Sequence, residues 1–143
     1  MLRRTVVVIL AVALAVSTSV CAFAAAQAAV KPPDVTIQLI SMTRITTGLS
    51  FSGSTAKATV VAEPKSGIAI DYVKFNVKLM KVGSSTPVKT WNETAYISQG
   101  KFIFSDSVSV SSSGTYYVEA TTNSYYNNSL IEQIVTTSAN VVF

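Results

Sequence analysis

Ile70-Asp71-Tyr72-Val73-Lys74-Phe75-Asn76-Val77-Lys78-Leu79-Met80-Lys81 alternates residue by residue between apolar and polar. Val73, Phe75, Val77 and Leu79 fall on one face; Lys74, Asn76, Lys78 and Met80 fall on the other. That is the pattern of a β-strand with one dry side and one wet side. Residues 55–63 repeat it, with Ala56, Ala58, Val60 and Ala62 toward a core and Lys57, Thr59 and Glu63 outward. Small alanines there leave room for large side chains from an opposing sheet. Residues 101–110 place Phe102, Phe104, Val108 and Val110 on one face; Asp106 interrupts that face and predicts a bulge or bend. Further strands are predicted at 35–43, 48–52, 88–96, 115–122 and 130–137, the last running on toward Phe143. Ser52-Gly53-Ser54, Pro64-Lys65-Ser66-Gly67, Gly83-Ser84-Ser85, Ser98-Gln99-Gly100 and Ser112-Ser113-Gly114 carry turn chemistry between them. No stretch shows the helical apolar period. The reading is an all-β sandwich of about seven to eight antiparallel strands.

Outward from that core, the amino-terminal residues have a different character. Met1-Leu2-Arg3-Arg4 is a positive start, residues 6–16 are apolar, and residues 22–29 are mostly small. Residues 1–29 therefore read as an export signal, cleaved most favourably after Ala28. An uncleaved anchor is the rival, and Ser17, Thr18, Ser19 and Gln27 weaken it. A lipid anchor on Cys21 is a second rival, weakened by Val20 directly before it. The membrane is thus expected to be met only through this segment. Residues 30–34, with Pro32 and Pro33, read as a short stiff linker, and 35–143 as one domain.

Of 11 Lys+Arg in the chain, Arg3 and Arg4 belong to the signal, which leaves nine against seven acids and a mature charge of only +2. A nucleic-acid partner would want a denser basic patch, so none is expected. The only cysteine, Cys21, lies in the signal, so the mature domain has no disulfide framework. A bacterial exoprotein suits that composition better than a small eukaryotic secreted domain.

Ser113-Gly114-Thr115-Tyr116-Tyr117-Val118 resembles the start of strand F in immunoglobulin-like domains. There a tyrosine two residues before a core position bonds back to the preceding corner. The resemblance implies that Tyr116 is that tyrosine, that Val118 takes the core place, and that Val60 faces it across the sandwich. Both cysteines and the tryptophan of antibody domains are absent from their places, with Phe75 the candidate substitute for the latter. The wider layout is similar to small secreted immunoglobulin-like proteins of unknown function from Gram-positive, often gut-dwelling, bacteria. The stretches that carry this likeness are Thr55-Ala56-Lys57-Ala58-Thr59-Val60, Lys74-Phe75-Asn76-Val77-Lys78-Leu79-Met80-Lys81, Val88-Lys89-Thr90-Trp91 and Gly114-Thr115-Tyr116-Tyr117-Val118-Glu119-Ala120. That group implies no activity.

Chemistry is sparse. The chain has no histidine, so Ser-His-Asp and Cys-His machinery is excluded, and with it a histidine-bearing zinc site. Ser66 beside Lys65, and Ser84-Ser85 near Lys81, fall in ordinary turns. The acids Asp34, Glu63, Asp71, Glu93, Asp106, Glu119 and Glu132 show no local pair for glycoside hydrolysis. No calcium loop or phosphate cradle is present. No catalytic residue, metal or cofactor is therefore assigned. Binding candidates remain. Tyr125, Tyr126, Asn127 and Asn128 are placed in the connection between the last two strands, where tyrosine and asparagine give contact area and adaptable hydrogen bonds. Trp91 is read either as a sugar-stacking platform or as a plug at the core edge. Tyr72, Lys74 and Lys78, with Lys89, form a basic stripe on one outer sheet face, suited to an anionic wall polymer or simply solvated. The expectation is a non-enzymatic binding or structural module, secreted or held at the cell envelope, with an extracellular protein or glycan as partner. The alternatives are a polysaccharide-active enzyme with a carboxylate site and a subunit assembling by strand exchange.

Overall fold

The computed structural model describes residues 39–143. The expected export signal, the linker and the first part of the strand expected at 35–43 lie outside the described residues. The described residues form eight strands: β1 (Met42–Ser52), β2 (Thr55–Pro64), β3 (Tyr72–Lys81), β4 (Lys89–Ala95), β5 (Phe102–Ser109), β6 (Thr115–Tyr126), β7 (Ser129–Thr137) and β8 (Val141–Val142). The smaller sheet has the order β1-β2-β5. The larger runs β4-β3-β6-β7, with β8 pairing β6. All pairings are antiparallel. The hairpins β1–β2, β3–β4 and β6–β7 stay within a sheet, whereas β2–β3, β4–β5 and β5–β6 cross between sheets. This is the all-β sandwich that the alternating segments demand.

The inner faces interlock as the pattern requires. Ala56, Ala58, Val60 and Ala62 of β2 are buried, as are Val73, Phe75, Val77 and Leu79 of β3, and Tyr116, Val118 and Ala120 of β6. The small β2 residues make room for an aromatic cluster. Phe75 lies 6.3 Å from Phe104, and Trp91 meets Phe104 edge-on at 5.9 Å. At the β5–β6 corner the Tyr116 hydroxyl donates to the Ser112 carbonyl at 2.5 Å, the contact implied by the Ser113–Val118 resemblance. Lys81 closes over this corner. Its Nζ donates to the Ser113 carbonyl at 2.8 Å and sits 5.7 Å from the Tyr116 ring centroid.

Four local expectations are corrected. The two strands expected at 35–43 and 48–52 are, in the described part, one continuous strand, β1. Arg44-Ile45-Thr46-Thr47 does not interrupt it, because inward Thr47 bonds Thr136 Oγ1 of β7 at 2.6 Å. A polar inward residue is tolerated where it finds a partner. No bulge forms at Asp106: the β2–β5 register runs unbroken from Thr55↔Ser109 to Ala62↔Phe102. Asp106 lies opposite Ala58, so alternation puts it on the inner face. It is nevertheless exposed, because β5 is an edge strand. An inward charge on an edge discourages pairing with another chain. Third, β6 extends four residues beyond Thr122, to Tyr126. Fourth, the strand expected to run on toward Phe143 is interrupted after Thr137. There Ser138 Oγ accepts the Val118 N–H at 2.9 Å, replacing a ladder carbonyl, and β8 then pairs with Thr115 and Tyr116.

Candidate functional site

The β6–β7 turn sets the position of the aromatic residues. Asn127 and Asn128 have φ of 48° and 59°, the two left-handed positions of a type I′ turn, where asparagine is among the favoured residues. The loop expected at 125–128 is therefore only these two residues. Tyr125 and Tyr126 belong to β6 and are aimed by the strand. Alternation sends Tyr125 to the outer face of the larger sheet, in register with Tyr72 of β3. The Asn127 N–H donates to Asp71 Oδ2 at 2.6 Å, and the Asp71 N–H to the Tyr125 carbonyl at 2.8 Å, tying the turn to the start of β3.

This register creates ordered rows on the outer face. In the first, Tyr72 and Tyr125 stack with centroids 4.9 Å apart and planes 14° from parallel, and Tyr96 leans on Tyr72 at 6.2 Å. The Tyr72 hydroxyl donates to Asn128 Oδ1 at 3.3 Å. The next row holds Thr94, Lys74, Asn123 and Gln133 in register, and the third holds Asn92, Asn76 and Thr121. Lys74 Nζ lies 5.1 Å from the Tyr125 centroid and 5.8 Å from that of Tyr72. Cation–π attraction thus fixes an otherwise floppy ammonium beside the aromatic row.

Below that row the face sinks into a shallow pocket of about 320 Å³, lined by Lys74, Asn76, Asn92, Thr94 and Asn123, with Phe75 and Glu93 beneath. Two amide pairs shape it: Asn76 Nδ2 donates to Asn92 Oδ1 at 2.6 Å, and Gln133 Nε2 to Asn123 Oδ1 at 2.8 Å. Both Asn92 and Asn123 thereby spend their oxygen within the sheet and keep their NH₂ groups for the pocket. Glu93 is in register with Phe75, whose ring is in the core, so alternation assigns its side chain to the other face.

The expected candidates thus separate. Tyr72, Lys74, Tyr125 and Asn128 come together on one face. Lys78 shares the face, but its ammonium pairs with Glu119 Oε1 at 3.2 Å. Lys89 is in register with Leu79 and belongs to the opposite side. Trp91 is a core plug against Phe104 and offers no ring to a sugar. Tyr126 is exposed at the sheet end, and Asn127 contributes through its backbone. Tyr96, Asn76, Asn92 and Asn123 were not singled out as binding residues. The register that aligns them spans three strands and has no local signature.

Charge is distributed unevenly among the described residues. Arg44 and Lys101 both reach Glu63, at 2.9 and 3.0 Å. Their hydrogen bonds, Lys101 first, hold its carboxyl below the ordinary value. No carboxylate among the described residues pairs with Lys74. No protein-family model matches this chain, and no curated protein matches it at a significant level.

Proposed function

We propose that the protein is a non-catalytic extracellular binding module that engages its ligand through the outer face of the larger sheet. The observation that carries this reading is the Tyr96–Tyr72–Tyr125 row standing over Lys74 beside a polar pocket. Aromatic walls with a few convergent polar groups are the usual make-up of a recognition site. The row is already stacked and the ammonium already held, so little freedom is lost on binding. An export-type amino terminus supports an extracellular setting. The single acid beside the pocket, Glu93, turns its side chain to the other face, so the pair of carboxylates that glycoside hydrolysis uses is not assembled there, which favours binding over catalysis. Strand exchange would donate the Pro-containing amino-terminal segment, which lies outside the described residues; within them β1 is paired with β2 and packs Ile45, Leu49 and Phe51 onto the core.

The test is capture of native cell-envelope material by the immobilised protein. The double variant Tyr72→Ala/Tyr125→Ala is expected to lose about tenfold or more in capture. Its melting temperature should fall by only a few degrees, because a half-exposed aromatic pair contributes about 0.5–1.5 kcal/mol. Unchanged capture by the folded double variant would refute the reading.

A further inference from the structure

We infer that the pocket beneath the tyrosine row is a uronate subsite: it takes a carboxylate-bearing sugar ring of an acidic oligosaccharide. This inference rests on the proposed function and names its ligand class. The pocket's free polar groups are mostly donors. Asn92 and Asn123 each use their oxygen within the sheet and leave NH₂ groups, and Thr94 adds a hydroxyl. Lys74 adds an ammonium that meets no carboxylate among the described residues and is held by two rings at 5.1 and 5.8 Å. A surplus of donors around a fixed cation calls for an acceptor-rich anion, and the hydrogen bonds it would accept from an ammonium are the strong, charge-assisted kind.

The remaining features select among anions. Tyr96 is 69% exposed and leans on the Tyr72–Tyr125 stack, so an apolar wall borders the donors. A pyranose ring has an apolar CH face for that wall and equatorial hydroxyls for the Asn76 oxygen and the amide NH₂ groups. A polyol phosphate is acceptor-rich but has no such face. The one free ammonium in the pocket matches the single charge of one uronate. A volume of about 320 Å³ is at the small end of ligand sites and suits one or two ring positions rather than a folded peptide.

The experiment is calorimetric titration of the purified protein with hexagalacturonate, cellohexaose and a short glycerol-phosphate polymer, at low and raised salt. Hexagalacturonate should bind at least about tenfold more tightly than cellohexaose, and its affinity should fall as salt rises. Lys74→Met should remove most of that preference while leaving the melting temperature nearly unchanged, and Asn92→Ala should lower uronate affinity severalfold. Equal binding of the acidic and neutral sugars overturns the inference, as does an unaltered Lys74→Met variant or a preference for the glycerol-phosphate polymer. Envelope capture separates the two claims. If hexagalacturonate fails while Tyr72→Ala/Tyr125→Ala still abolishes capture, the uronate assignment falls and the binding face stands. If capture is also unchanged, both fall.

Discussion

Phe75→Ala lowers the unfolding free energy by about 3–5 kcal/mol, the range for truncating a buried phenylalanine. Phe75 is 1% exposed, and its ring meets Phe104 across the sandwich at 6.3 Å. Deleting it opens a cavity where both sheets meet, and the small β2 side chains Ala56, Ala58 and Ala62 cannot expand into it. Lys78→Ala on the same strand provides the contrast. It removes a partly exposed ion pair with Glu119, worth at most about 1 kcal/mol. Urea titration should show a large midpoint shift for the first variant and a small one for the second, with similar slopes. Equal midpoints would place the β3 register out by one residue.

Glu132→Gln should cost about 2 kcal/mol near neutral pH and progressively less in acid. Glu132 is a buried carboxylate on β7 that fastens the chain entering β1. Its oxygens accept the Ile40 N–H at 2.6 Å, the Ser41 N–H at 2.8 Å and the Ser41 hydroxyl. Burial pushes its carboxyl up; the Ser41 hydroxyl and the N–H groups of Ile40, Ser41 and Met42 outweigh this and hold it below the ordinary 4.5. Glutamine turns an NH₂ toward groups that themselves donate, leaving a buried donor unmatched. The folded-state value is depressed, so the stabilisation is fully present above the unfolded value and is lost as pH falls through the folded one. Wild type and variant should therefore differ most above pH 5 and converge below about 4.5. Glu63 titrates in both proteins, so the difference between the two curves isolates Glu132. A gap that stays constant down to pH 3 would contradict this account.

The strands whose faces were plainest in the sequence were those whose inner residues are all apolar; β4, β5 and β7 were also legible to within one residue although Glu93, Asp106 and Glu132 hold inward positions. In β2 and β3 the inward positions are Ala, Val, Phe and Leu, so alternation gave their faces directly. The middle of β1 and the end of β6 were obscured by polar residues at inward positions. On β6 the apolar series stops at Ala120; Thr122 and Ser124 are fully buried hydroxyl residues, and the polar run after Thr122 reads like the start of a loop. That reading left Tyr125 in a connection instead of on a sheet face. On β1, Thr47 is inward because Thr136 meets it from the other sheet, a partner 89 residues away. The candidate site was partly legible for the same reason. Tyr72, Lys74 and Lys78 lie on one strand and share its outward period, so they were found together. Asn92 and Asn123 become neighbours of that strand only through pairing, and Trp91 could not be assigned to core or surface from its own strand alone.

The most direct test of the binding face is heteronuclear NMR mapping of the protein titrated with soluble polysaccharide released from the producing cell's envelope. The account predicts that perturbed signals concentrate on the outward residues of β3, β4 and β6, with the side-chain amides of Asn92 and Asn123 among the most shifted. The outer face of the smaller sheet, including Lys57, Thr59 and Ser105, should stay unmoved. Perturbations centred on the smaller sheet, or confined to Tyr126 and the Asn127–Asn128 turn, would contradict it.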